Sequence, residues 1–166
     1  MINRFGEMTK ILPVLVSADI TTTDTKTAIV DCKNAHRVTF YVLCGAITSA
    51  STTEPIIWAK ASSAATTTSA VAIAGKYRLS GAVATDSMGE ITAFTAAAGI
   101  TPLLTADNNV ILVDIDPADI RAGTANKNGR FVHLLMDTSA SMSNWVVGAI
   151  CELEPRYAQN SMPSAS

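Results

Sequence analysis

Three features of this 166-residue chain predict an all-β fold. Short segments alternate apolar and polar residues with period two. β-branched and aromatic residues concentrate in those segments, and clusters of Gly, Asn and Ser separate them. No strand pattern alternates regularly with a helical one, so the strands should pair antiparallel. The expected architecture is an antiparallel β-sandwich or jelly-roll-like single domain over residues 1–166, with short helical turns and extended termini.

The elements follow in order. "KILPVLVSADI" reads as an extended apolar segment with Pro13 at a sheet edge or strand start, because proline cannot donate to a ladder. "TTTDTKTAIVDCK" continues in β-prone residues, and "NAH" reads as a turn that holds His36. In "RVTFYVLCGAI", Val38, Phe40, Val42 and Cys44 fall on one face, and Arg37, Thr39, Tyr41 and Leu43 on the other. "TSASTTE" reads as a loop and "PIIWAKAS" as a short strand. The Ala/Thr/Ser-rich middle, residues 62–104, predicts short strands, long loops and one short helix. Asn108-Asn109 should turn the chain into "VILVDI", in which Val110 to Val113 is apolar on both faces like a buried central strand. "PADIRAG" predicts a helical turn opening at Pro117. "FVHLLMD" is again apolar on both faces. "NWVVGAICELE" places Trp145, Val147, Ala149, Cys151 and Leu153 on one face. Segments 37–44, 110–115, 131–136 and 145–153 should form the core, with Leu112, Leu134 and Val147 buried. Residues 1–10 and 156–166 are expected to be extended arms.

Composition narrows the function classes. Hydrophobic residues make up 48% of the chain and charged residues only 16%. Small, weakly charged surfaces suit close contact with protein neighbours. The net charge is −2 and no basic stripe exists, so no nucleic-acid partner is expected. No apolar run reaches the roughly 20 residues of a membrane span, and Glu7 and Lys10 interrupt any signal-peptide core, so no membrane partner is expected. Cys32, Cys44 and Cys151 are odd in number and strand-like in context, which suggests reduced, packed thiols.

No residue constellation specifies a reaction. Asp137, Ser139 and Ser141 resemble the Asp-x-Ser-x-Ser signature of von Willebrand A domains, where such oxygens hold a divalent cation. That fold needs several further strand–helix units, and 25 residues follow Ser141 here, so a Ser-rich turn is the expected reading. Asp114, Asp116 and Asp119 could ligate a cation, or cap the turn after Asp116 and solvate a strand end, the preferred reading. His36 and His133 have no nucleophile at a recognisable spacing, and there is no Gly-x-Ser-x-Gly elbow or phosphate-cradling glycine loop. Trp58 and Trp145 read as core or interface anchors. The expectation is a non-enzymatic protein with no cofactor and no metal.

Two stretches carry a more specific resemblance. Residues 28–48, "AIVDCKNAHRVTFYVLCGAIT", and residues 108–158, from "NNVILVDIDPADI" to "ELEPRYA", resemble small virion proteins of tailed phages encoded near the major capsid protein. In that group a Val-Asp segment leads into a strand ending Gly-Ala-Ile-Thr, and the last strand leads to a Pro-Arg-Tyr element and a polar tail. The match covers somewhat under half the chain; it departs in the Ala/Thr-rich middle and at Leu135-Met136-Asp137. It implies a capsid cement or decoration protein in the virion, with the major capsid protein and its own copies, as a homotrimer, as partners. A head–tail adaptor or tail protein is the alternative. The implied partner-binding residues are Pro155, Arg156 and Tyr157.

Overall fold

The computed structural model of the chain describes residues 9–20, 24–49, 55–81, 87–101, 108–123, 128–138 and 142–156. They form β1 (Lys10–Asp19), β2 (Thr25–Lys26), β3 (Val30–Asp31), β4 (Ala35–Ser49), β5 (Ile56–Ser62), β6 (Val71–Ala72), β7 (Gly75–Leu79), β8 (Thr92–Phe94), β9 (Val110–Ile115), α1 (Pro117–Gly123), β10 (Phe131–Asp137) and β11 (Met142–Pro155). One sheet has the order β1-β11-β4-β9-β7-β8, the other β2-β10-β5-β6, with β3 also paired to β10. Every one of these pairings is antiparallel. The chain is thus an all-β, sandwich-like single domain with one short helix among the described residues, as the alternating patterns predict.

Period two places the core. Phe40, Ile111, Val113, Trp145 and Val147 of the larger sheet join Ile57, Val132, Leu134 and Met136 of the smaller in one buried cluster. Ala59 and Ala61 stand opposite Leu134 and Val132 in the β5–β10 register, so small side chains neighbour large ones on that inner face. Pro13 lies in β1, the edge strand, where its missing N–H costs no central ladder bond. The register slips after Pro13 and again after Leu15, bulges that interrupt an otherwise long edge.

The flanking pieces close the sandwich. Ala28 N donates to Val14 O of β1 at 2.7 Å, and Thr27 N donates to Leu134 O of β10 at 2.9 Å, so residues 27–28 tie one sheet to the other. Thr27 Oγ1 in turn accepts from Leu134 N at 3.0 Å. Arg130 forks onto Asp31, with Nε donating to Oδ1 at 2.7 Å and Nη2 to Oδ2. That pair holds the Asp31 carboxyl below the usual carboxylate range. Asn108 turns the chain with φ 54°, a left-handed angle that asparagine tolerates. Gly99 has φ 62°, and a side chain there would meet Ile56 Cγ2 at 2.7 Å; the glycine lets Ile100 bridge to Ile57.

Three expectations change. Leu112 is half-buried, because the apolar run of β9 crosses a sheet whose outer face is open; only Ile111, Val113 and Ile115 point inward. His36 is an exposed residue of β4, since the turn falls one step earlier, at Lys33–Asn34. The described part of the middle holds only short strands and turns; threonines and glycines there outweigh the helix preference of alanine. Leu134 and Val147 are fully buried. Leu134→Ala should therefore cost about 2–5 kcal/mol and Leu112→Ala under about 1.5 kcal/mol, since only the first leaves a cavity. Denaturant melts of the two variants check the contrast.

Candidate functional site

The outer face of the six-stranded sheet is where exposed side chains of several elements converge. Its position follows from β4, whose inward residues build the core and whose outward residues are Arg37, Thr39, Tyr41 and Leu43. Across the ladder Thr39 stands beside Asp114 on β9 and Glu152 on β11, while Tyr41 stands beside Leu112 and Ile150. On β7, Lys76 faces Asp114 and Arg78 faces Leu112. The face therefore carries an apolar row flanked by a charged one.

Two contacts organise it. Arg37 grips Asp114 bidentately, Nε to Oδ1 at 2.8 Å and Nη2 to Oδ2 at 2.9 Å, and Thr39 Oγ1 lies 3.4 Å from the same Oδ1. The carboxylate further stabilises the guanidinium charge and raises the Arg37 pKa. The pair is solvent-exposed, so its geometry matters more than its energy. Tyr41 donates to Glu152 Oε2 at 2.6 Å. That bond, with partial burial and the nearby negative charge, pushes the phenol pKa up to about 12.

Shallow depressions mark the sheet, two of them beside the Arg37–Asp114 pair. One, about 600 Å³, runs past His36, Lys76, Phe94, Asp116 and Asp119. A second, about 200 Å³, lies between Arg78, Ile91 and Leu112. A third, about 310 Å³ and free of charged lining, lies over Pro13, Leu43, Gly148 and Ile150. Leu43 is 49% exposed and Val16, further along β1, is 83% exposed. Apolar patches edged by charge and tyrosine match the anatomy of protein–protein contact faces.

The other candidates have structural roles. Asp116 Oδ1 accepts from Ala118 N at 2.7 Å and caps α1, while Asp114 is held by Arg37. Asp137 Oδ2 accepts from the Trp58 indole N–H at 3.1 Å; Ser139 and Ser141 lie outside the described residues. Among the described residues no three His, Cys, Asp or Glu side chains are grouped to hold a metal ion. The three cysteines are buried thiols, with Cys32 and Cys151 pushed up in pKa chiefly by burial. His133 is buried, its Nε2 has no partner among the described residues, and burial with Lys26 and Lys60 nearby lowers its pKa to about 4. Among the described residues no helix is long and apolar enough to cross a membrane.

Pro155 ends β11 opposite Ala35, and Arg156 is exposed, its N donating to Asn34 O at 2.9 Å. Tyr157 lies outside the described residues. Two residues before the exit, Glu154 pairs in register with Arg37, so Pro155 and Arg156 leave the sheet beside the charged end of the outer face. The Arg37–Asp114 and Tyr41–Glu152 contacts are absent from the sequence reading. Outward polar residues on β4 were a usable signal, but their partners depend on strand register.

These features define a β-sandwich-like domain with a sheet face suited to protein contacts. No protein-family model matches the chain, and no match to it was found among curated proteins.

Proposed function

We propose that this chain is a non-enzymatic virion structural protein of the capsid cement or decoration type, which binds and stabilises a shell of major capsid protein and associates with its own copies as a trimer. One observation carries the reading. The two stretches that resemble tailed-phage virion proteins, remote in sequence, include β4, β9 and β11, which lie side by side as β11-β4-β9. Their outward residues make up most of the open face described above. A docking role needs such a face and no convergent catalytic groups. Repetition over a symmetric shell then multiplies each weak contact.

The alternative is a head–tail adaptor or tail protein, which would use the same face in a ring. A metal-dependent adhesion module built on the Asp137 motif is a weaker third reading, because Trp58 already engages the Asp137 carboxylate.

The test combines native mass with binding to undecorated shells. A trimer that saturates the shells supports cement; a ring of six or twelve that ignores them supports an adaptor. Deleting residues 157–166 leaves the Arg156–Asn34 bond in place. The midpoint of unfolding should then stay nearly unchanged while shell occupancy falls, as expected for a polar tail that grips neighbours. Unchanged occupancy would remove the tail, and Tyr157 with it, from the docking element.

A further inference from the structure

We infer that the groove between β9, β7 and Ile91 binds an acidic peptide segment carrying one apolar side chain, supplied by the protein this domain docks on. The inference deepens the reading of the sheet face as a docking surface and does not depend on whether the partner is a shell or a tail protein.

The groove has a charge imbalance. Its lining includes Arg37, Lys76 and Arg78 against the single carboxylate of Asp114. Arg37 already takes both oxygens of that carboxylate. Among the described residues that line the groove, Lys76 and Arg78 thus have no carboxylate besides Asp114, on a chain whose net charge is −2. Arg78 Nε is buried and has no hydrogen-bond partner among the described residues. Nε itself is covered, but Arg78 as a whole is only half-buried, so an incoming carboxylate would meet the guanidinium with a charge-assisted bond.

Apolar surface lies beside the charge. Leu112 is cross-strand neighbour to Arg78, and Ile91 lines the same groove while 60% exposed. The volume, about 200 Å³, suits one side chain rather than a folded element. A carboxylate at Arg78 or Lys76 with a leucine-sized group against Leu112 and Ile91 complements both features. A basic segment would repel Lys76 and Arg78.

The test follows the Arg78 Nε–Hε and Ile91 methyl signals by NMR in the full-length protein. The probes are the capped tripeptide acetyl-Glu-Leu-Asp-amide and its neutral isostere acetyl-Gln-Leu-Asn-amide. The acidic peptide should shift both signals saturably, and the neutral one should bind about threefold to tenfold more weakly, as two partly exposed ion pairs predict. The double variant K76Q/R78Q should abolish that preference, and Ile91→Ser should weaken both peptides, with melts confirming that each variant folds. Equal binding of the two peptides, or no shift with either, overturns the inference. So does a shift of the same signals on concentrating the protein alone, since a second copy would then be the occupant. Failure of shell binding with an intact acidic preference would instead count against the cement reading alone.

Discussion

Trp145→Ala should be among the most destabilising single substitutions in this domain, costing about 3–5 kcal/mol. Trp145 is fully buried in the strand that joins β1 to β4, and it belongs to the cluster that both sheets share. Its backbone is held as well: N donates to Asp19 Oδ1 at 3.1 Å and O accepts from Ile20 N at 2.9 Å. Truncation would empty the largest fully buried side-chain volume among the described residues while that frame stays in place, so collapse into the void is restricted. Trp145→Phe should cost clearly less, because the indole N–H has no acceptor among the described residues and loses no bond. Urea unfolding of the two variants measures the difference. Equal losses would show that the indole makes a polar contact that matters.

Acid should weaken the fold as the pH drops from 6.5 towards about 4. His133 on β10 is 1% exposed, flanked by Lys60 across the β5 ladder and by Lys26 on β2. Burial and these two cations favour the neutral ring, and its pKa falls from 6.5 to about 4. Below pH 6.5 the unfolded chain takes up a proton that the folded chain refuses until about pH 4. The stability is therefore complete above pH 6.5, falls as pH drops towards about 4, and is lost below it. The total is on the order of 3 kcal/mol. Asp31 acts in a lower window, since its pKa lies under the ordinary 3.8 and the Arg130 contact is lost only there. Melts between pH 7 and 4 should show a steep decline for the native chain and a shallow one for His133→Leu. Parallel curves would place the acid sensitivity elsewhere.

The fold was legible where one pattern had one physical cause. From Val38 to Cys44 in β4 and from Trp145 to Leu153 in β11 every second residue is apolar and buried, and the alternate positions of these strands include Arg37, Thr39, Glu152 and Glu154, so period two assigns Phe40 and Trp145 to the core. β9 misled at Leu112 because an apolar side chain on an open face reads like one in the core. β10 was read correctly as apolar on both faces, and His133 within it is buried. The candidate site was far less legible. Pro155 and Arg156 could be singled out from local order, but Arg37 and Asp114 meet only because β4 and β9 pair in one register. Likewise, nothing near Arg78 in the sequence indicates that its Nε lacks an acceptor among the described residues.

The place of β11 between β1 and β4 has a consequence for how the domain is made. It is the last described strand to leave the ribosome, yet among the described residues β1 has no other ladder partner in its sheet and β4 has only β9 besides. Lys10 and Val38 both await Leu153. Closing such long loops costs entropy before any pairing repays it, so folding should be slow and post-translational. Until then the growing chain displays two unsatisfied, apolar-flanked strand edges, the surfaces that chaperones and neighbouring nascent chains recognise. Ribosome-stalled chains ending before Met142 should remain protease-sensitive, and chains with Pro155 clear of the exit tunnel should become resistant in one step.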